Sequence, residues 1–180
     1  MESIIKMYIT LLPVIFAGVF NMLFVKTKFY KKYRKPIDGG KNIFGNNKTW
    51  IGALSMILFT TLFQLLFSFT FLNKYNYIYE NNDNNIFFNI FVGFLFGLAY
   101  ILFELPNSFV KRRLNIEPGK TAGILSYIVD QIDSIIGVTL ILSFFTKIDF
   151  FTFLLYILLG AVTHSVVNLV LYLLKIRKNV

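Results

Sequence analysis

Apolar residues fill four long stretches of the chain, and short polar connections separate these stretches. The uncharged stretches cover residues 7–25, 50–72, 86–103 and 150–174. Each is near or above the roughly 18–20 residues that a helix needs to cross a hydrocarbon core about 30 Å thick. The pattern therefore predicts four transmembrane helices.

A fifth stretch, residues 123–146, has a similar length but carries Asp130 and Asp133, and it is apolar only beyond Ser134. We interpret it as a fifth span whose polar end is functional. The predicted fold is an all-α polytopic transmembrane bundle of about five helices with two functional cytosolic loops. The longest loop, about 24 residues, is too short to bury a core of its own. Residues 1–180 are therefore expected to form a single integral membrane domain.

Composition agrees with this class of protein. Hydrophobic residues make up 56% of the chain and charged residues 15%, against roughly a quarter charged in a soluble domain. The chain has no cysteine, which excludes a disulfide framework, a zinc–thiolate site and a thiol nucleophile. The net charge of +9 lies between the apolar stretches. We therefore interpret it as a signal for membrane orientation and expect no nucleic-acid partner.

Lysine and arginine are distributed unevenly over the connections, and such residues near span ends stay on the cytoplasmic side. Segment 26–49 holds eight, segment 106–122 holds four and the tail after residue 174 holds three, against three elsewhere. This predicts a multi-pass protein of the cell (plasma) membrane with its amino terminus outside, its carboxyl terminus inside and both basic loops in the cytosol. Pro106 is expected to help end the third span, and segment 73–85 to be a plain external loop.

The first basic loop reads KKYRKPIDGGKNIFGNNKTWIG, with Asp38 as its single carboxylate. Its glycines permit positive φ angles and a close approach of backbone N–H groups to phosphate oxygens. Lys41 and Lys48 can neutralise such oxygens. The spacing is not that of a Walker A motif. Two interpretations stay open, a phosphate-binding loop and a flexible loop that only sets the orientation.

Asp130 and Asp133 are three residues apart, so they lie on one face of a helix and can share a metal ion. Two carboxylates that enter a membrane without partners cost at least a few kcal/mol each, which makes them functional candidates. The alternative is a structural ion pair with Lys111 or Arg112. Metal binding is the interpretation that we favour.

The only histidine, His164, lies in the last span. At a rise of about 1.5 Å per residue, His164 and Asp133 both lie roughly 20 Å from the external boundary. Asn168 falls one turn nearer the cytosol on the face of His164, near the level of Asp130. The pair is either an interhelical hydrogen-bonding pair or part of a ligand set. Either role brings the last two spans together at the acidic site.

SFVKRR followed by VDQIDS resembles the signature of phosphatidate cytidylyltransferases, in which S-x-x-K-R precedes a Gly-containing spacer and D-x-x-D. The matching residues are Ser108, Lys111, Arg112, Asp130 and Asp133. The five-span length, the pieces PIDGGK and FGNNKTW, and H-x-x-x-N in the last span are more similar to the CDP-archaeol synthase family. This resemblance covers almost the whole chain.

The chain also departs from these patterns. The spacer between PIDGGK and FGNNKTW is short, Ile51 stands where arginine is frequent, and no His-Gly-Gly precedes D-x-x-D. These departures leave the lipid acceptor open between an ether-linked isoprenoid and a diacyl lipid.

The resemblance implies that a lipid phosphomonoester attacks the α-phosphorus of CTP and releases pyrophosphate. Asp130 and Asp133 are then expected to hold Mg²⁺, which favours carboxylate and phosphate oxygens, while Lys111 and Arg112 steady the phosphates. His164 and Asn168 are candidate supporting residues. The nucleotide- and phosphate-binding residues implied in this way are Asp38, Gly39, Gly40, Lys41, Gly45, Asn47, Lys48, Thr49 and Ser108. An ionised phosphate needs no general base.

Two alternatives belong to other functional classes. A CTP-dependent polyprenol or phytol kinase would transfer the γ-phosphate to a lipid alcohol and would require a base. A non-catalytic transporter or assembly subunit predicts acids along a path that continues outward, yet the span beyond Ser134 offers only Thr139 and Ser143 before Thr146. We therefore favour the cytidylyltransferase. The sequence leaves the oligomeric state open, including a homodimer.

Overall fold

The computed structural model describes residues 2–176, so Arg177 and Lys178 of the basic tail lie outside the described residues. The described chain contains six α-helices and two short 3₁₀ helices, joined by loops. The α-helices are α1 (Glu2–Phe24), α2 (Lys28–Tyr33), α3 (Trp50–Ser68), α4 (Ile86–Arg113), α5 (Gly123–Phe145) and α6 (Phe150–Leu173). Five of them, all except α2, are long and apolar enough to cross a membrane. The prediction of an all-α bundle with five spans is confirmed.

Pro106 does not end the third span, so that prediction is wrong. Helix α4 runs through Pro106 and continues to Arg113. Proline removes one backbone hydrogen bond, but its φ angle is compatible with a helix. The residues that follow it, Ser108, Lys111 and Arg112, become buried against the bundle. The segment SFVKRR is therefore helical, and its cations lie in the last turn, where the helix dipole favours positive charge.

Helices α3 and α4 approach each other closely at two glycines of α4. A Cβ atom at Gly93 would lie 2.6 Å from Thr61 Cα, and one at Gly97 would lie 2.6 Å from Ile57 Cα. Glycines four residues apart share one helix face and allow backbones to touch, as in small-residue packing of membrane helices. This contact fixes α4, which carries much of the candidate site, against α3.

Segment 71–85 is more ordered than the plain loop expected from the sequence. It forms the 3₁₀ helices Phe71–Tyr75 and Tyr77–Glu80 and buries the side chain of Ile78 completely. The Tyr77 N–H donates to Thr10 Oγ1 over 3.1 Å, and Asn82 Nδ2 donates to the Phe145 carbonyl at the end of α5 over 2.8 Å. The segment therefore folds over this end of the bundle. We call the opposite end, which carries the loops 26–49 and 114–122, the basic end.

Candidate active site

Asp38 organises the first basic loop. Its carboxylate accepts hydrogen bonds from the backbone N–H groups of Gly40 (2.9 Å), Ile43 (2.7 Å) and Phe44 (3.0 Å). The bond from the Phe44 N–H, with those from neighbouring backbone groups, holds the pKa of Asp38 below its usual value. Gly40 has a φ of +84°, a conformation that favours glycine. The Asp38 carboxylate thus satisfies backbone N–H groups of its own loop, and Asp38 does not line the cavity described below.

The two basic-end loops meet at Gly45. A Cβ atom at this residue would lie 3.2 Å from Pro118 Cγ and 3.3 Å from Arg112 Cδ, and its φ is +92°. Arg113 Nη2 also donates to the Asn42 carbonyl over 3.1 Å. The φ angle favours glycine here, and a larger residue would also press on these two side chains. The contact brings the end of the first loop next to the last turn of α4.

Most of the residues predicted from the sequence surround one cavity of about 380 Å³ at the basic end. It lies between α1, α4, α5, α6 and the two loops. The predicted residues that line it are Asn47, Lys48, Ser108, Lys111, Arg112, Asp130, Asp133, His164 and Asn168. The predicted residues outside its lining are Asp38, Gly39, Gly40, Lys41, Gly45 and Thr49.

Thr49 stabilises the junction between the first basic loop and α3. Its hydroxyl caps α3 by accepting the Gly52 N–H over 3.1 Å, and it lies 2.9 Å from the Tyr30 hydroxyl in a buried contact. A backbone bridge between Pro36 and Thr49 closes the base of the loop. These contacts fix where Asn47 and Lys48 enter the cavity.

The two aspartates of α5 are joined by an amide from α4. Asn107 Nδ2 donates to Asp130 Oδ1 and to Asp133 Oδ2, each over 2.7 Å. Lys111 Nζ contacts Asp130 Oδ2 at 2.8 Å. Asp133 Oδ1 accepts from the backbone N–H of Ser134 over 2.6 Å. One oxygen of each carboxylate therefore points towards the same donor, and the ion pair with Lys111 that the sequence left as an alternative is present.

Ion pairs join some of the charged side chains around the cavity, whereas two others have no ion-pair partner in the part of the chain that the structure describes. Lys48 Nζ lies 2.6 Å from Glu104 Oε1, and Lys111 pairs with Asp130. Within residues 2–176, neither Arg112 nor Asp133 has an ion-pair partner. Arg112 is only 6% exposed, and its Nε and Nη1 atoms have no hydrogen-bond partner among the described residues. A buried, unsatisfied guanidinium costs free energy, and a phosphate group in the cavity would remove that cost.

Gln131 connects α5 to α6. Asn168 Nδ2 donates to Gln131 Oε1 over 3.0 Å, and His164 Nδ1 lies 3.4 Å from the Gln131 carbonyl oxygen. The last two spans meet at the acidic site, as the matched depths suggested. Asn168 contacts α5 by a hydrogen bond to Gln131 and not to Asp130.

Sequence reasoning missed eight residues of the cavity lining, among them the polar residues Glu104, Asn107 and Gln131. The first two were assigned to a span end and a loop because Pro106 was expected to terminate the helix. With α4 continued, Glu104 precedes Ser108 by four residues and Asn107 precedes Lys111 by four, which places each pair on one helix face. Helical spacing measured back from S-x-x-K-R is the signal that could have identified them.

Comparisons with known proteins identify the family and the fold. A family model described as "CarS-like: CDP-archaeol synthase" matches residues 1–180. The CDP-archaeol synthase of Sulfurisphaera tokodaii is 32% identical, with 86% of this chain and 82% of the relative covered. That of Sulfolobus acidocaldarius is 28% identical, with 86% and 84% covered. That of Methanocaldococcus jannaschii is 30% identical, with 79% and 81% covered.

A solved structure of an intramembrane enzyme for archaeal membrane lipids biosynthesis has the same fold. It superposes with a TM-score of 0.62 at 21% identity, over 89% of this chain and 91% of that chain. The family match over the whole chain and the relatives at 30% identity or more are sufficient to assign the family. The chain belongs to the CDP-archaeol synthase family, and it is a multi-pass, CTP-dependent cytidylyltransferase that forms a CDP-activated lipid.

Proposed function

We propose that the cavity at the basic end binds the triphosphate of CTP beside a divalent metal ion, and that the acceptor is a phosphorylated, ether-linked isoprenoid lipid. Arg112, Lys111 and Lys48 contact phosphate oxygens in this proposal, with Ser108 and Asn47 as further hydrogen-bond donors. The relatives are CDP-archaeol synthases, and that name supports the ether-linked acceptor over a diacyl lipid.

One observation carries the assignment of the cavity, namely the pair of charges left without ion-pair partners. Arg112 and Asp133 line the same cavity, are 6% and 8% exposed, and have no ion-pair partner within residues 2–176. A bound phosphate would satisfy the guanidinium, and a bound cation would satisfy the carboxylate. A nucleoside triphosphate with a metal ion supplies both charges at once.

The donor set fits a hard divalent cation. The cavity brings together carboxylate oxygens of Asp130, Asp133 and Glu104 with the side chains of Ser108 and Asn107, and it has no cysteine. Such oxygen donors suit Mg²⁺, which keeps several water ligands and binds through one or two carboxylates plus substrate phosphates. In residues 2–176 no three His, Cys, Asp or Glu side chains already surround a metal position. In this proposal water molecules and phosphate oxygens of CTP complete the coordination.

Asp130 and Asp133 would hold a divalent cation that would offset the repulsion between the two anionic substrates and stabilise charge at the transferred cytidylyl group. Lys111 and Arg112 hold the β- and γ-phosphates in line with the acceptor and stabilise the leaving pyrophosphate. A new bond forms between an acceptor phosphate oxygen and the α-phosphorus, and the bond from the α-phosphorus to the β-bridging oxygen breaks. Asn107 holds Asp130 and Asp133 at fixed separation. The acceptor is already ionised, so no proton has to be removed.

The proposal treats residues 1–180 as one catalytic domain with its basic end in the cytosol, where CTP is made. The fifteen-to-three distribution of basic residues supports that orientation. A homodimer, which the sequence leaves open, is compatible with this site.

The test uses purified protein in detergent with Mg²⁺ and CTP labelled at the α-phosphorus. Label is expected to enter lipid with a phosphorylated isoprenoid diether and to enter more slowly with diacyl phosphatidate. CTP labelled at the γ-phosphorus is the control, and its label is expected only in pyrophosphate. Equal rates with both acceptors would reject the acceptor assignment, and γ-label in the lipid would indicate a kinase.

A further inference from the structure

Two further cavities adjoin the candidate nucleotide cavity, and Met22 and Tyr100 line all three. One, of about 530 Å³, lies at the basic end between α1, α2, α3 and α4, and we call it the basic chamber. The other, of about 70 Å³, is a narrow cleft between α1 and α6, which we call the α1–α6 cleft. Neither is used by the function proposed above.

The basic chamber is rich in cations. Lys26, Lys31, Arg34 and Lys48 line it. The first three are exposed, and their side chains make no salt bridge or hydrogen bond to any part of the chain that the structure describes. Lys48 is paired with Glu104 of the same lining, and it also lines the nucleotide cavity, so the first three cations carry the positive charge of the chamber. The chamber therefore suits an anion that has to lie next to the triphosphate.

The α1–α6 cleft is apolar along most of its length, with Leu11, Val14, Ile135 and Leu171 among its lining residues. Gly18 of α1 lines both this cleft and the basic chamber. A Cβ atom at Gly18 would meet nothing within 4 Å. The space beside Gly18 is therefore open at the point where the cationic chamber and the apolar cleft adjoin.

We propose that the phosphorylated lipid acceptor binds on this side of the bundle. Its phosphate lies in the basic chamber, and one hydrocarbon chain passes Gly18 into the α1–α6 cleft. A lipid phosphomonoester has an anionic head joined to apolar chains. The cationic chamber matches the head, and the adjoining apolar cleft matches a chain. Because Lys48, Met22 and Tyr100 also border the nucleotide cavity, the acceptor phosphate is brought beside CTP. This inference rests on the proposed function.

A second apolar groove, of about 730 Å³, lies between α4 and α5 and is the competing entry route. Lys111 is the only cation among its lining residues, and Lys111 is already paired with Asp130. A phosphate that entered here would meet no other lysine or arginine in the groove. The charge distribution therefore favours the α1 side for the acceptor head.

The experiment measures initial rates of CDP-lipid formation as acceptor and CTP are varied separately. Gly18→Leu fills the path, and the double variant Lys31→Ala with Arg34→Ala removes two exposed chamber cations. Each is expected to raise the acceptor KM about tenfold while the CTP KM changes less than about twofold. Val129→Phe is the matched control, because Val129 lines the α4–α5 groove and is 41% exposed. It is expected to leave both constants unchanged.

The possible results separate the two proposals. Failure of the wild-type protein to form labelled lipid would reject the proposed function. A higher acceptor KM in Val129→Phe together with unchanged constants in the α1-side variants would move the acceptor to the α4–α5 groove and overturn this inference. If Gly18→Leu does not fold, the double variant decides alone, since its positions are exposed, and an unchanged acceptor KM there overturns the inference too.

Discussion

Replacement of Arg112 by methionine is expected to make the unliganded protein more stable and to weaken CTP binding. Arg112 is 6% exposed, and its Nε and Nη1 atoms lack partners among the described residues. Leaving a buried polar group unsatisfied costs about 1–3 kcal/mol. Methionine has a similar length and no polar hydrogen, so its substitution removes this cost. We expect the free energy of unfolding without ligand to rise by about 1–3 kcal/mol.

The same change removes a charge-assisted hydrogen bond to phosphate in the liganded protein. Such bonds contribute about 1.5–3 kcal/mol, which corresponds to a loss of roughly 10- to 150-fold in CTP affinity. The assay is thermal unfolding in detergent, with and without CTP and Mg²⁺. The variant should start from a higher unfolding temperature than the wild type and should gain less from the ligand.

Arg113→Met is the matched control. Arg113 occupies the next position of α4, but its side chain is exposed and already bonds to the Asn42 carbonyl. No stabilisation is expected from its removal. If Arg112→Met lowers the unfolding temperature without ligand and keeps the full shift with CTP, the guanidinium has a structural role and the reasoning from its unpaired atoms is wrong.

Three further predictions concern other parts of the molecule. Asp133→Asn should lower kcat by about 10³-fold or more while the protein still accumulates in membranes, because the carboxylate holds metal; retained specific activity with poor accumulation contradicts it. Asp38→Asn should raise the CTP KM a few-fold at every pH from about 5 to 8. The hydrogen bonds that lower the Asp38 pKa stabilise the loop above about pH 3.9, and this stabilisation is lost only as the pH falls through the lowered pKa. An unchanged KM would argue against the prediction. Gly97→Ala should destabilise the fold by about 1–3 kcal/mol through its clash with the Ile57 backbone, measured by thermal unfolding, and a neutral result would refute the α3–α4 contact.

The positions of the spans could be predicted because hydrocarbon imposes a length and an apolar composition on every crossing helix. The end of α4 could not, since Pro106 is a local signal and the burial that continues the helix is tertiary. Arg112, for example, packs against Gly45 of the first loop, far away in the chain. This error also hid Glu104 and Asn107, whose roles become visible only when α4 is continuous.

Within the candidate site, sequence reasoning identified residue types better than residue partners. Asp130 and Asp133 were grouped correctly on one face because helical spacing alone places them there. The resemblance implies that Asp38 belongs to the phosphate-binding loop, and the structure shows that its carboxylate accepts hydrogen bonds from three N–H groups of that loop. Local turn geometry decides whether such a carboxylate contacts a ligand or its own loop, and a sequence of glycines and asparagines is compatible with both.

Segment 71–85, which folds over the end of the bundle opposite the basic end, bears on whether the protein could leak ions across the membrane. Ile78 is fully buried there, and Asn82 ties the segment to the last carbonyl of α5. A hydrated, charged cavity that reached both faces of a membrane would conduct ions and dissipate the transmembrane potential, worth about 2.3 kcal/mol per charge at 100 mV. Under the proposed function CTP enters and pyrophosphate leaves at the basic end, and the packed segment around Ile78 covers the opposite end of the bundle, so that the nucleotide cavity would open to one face of the membrane only.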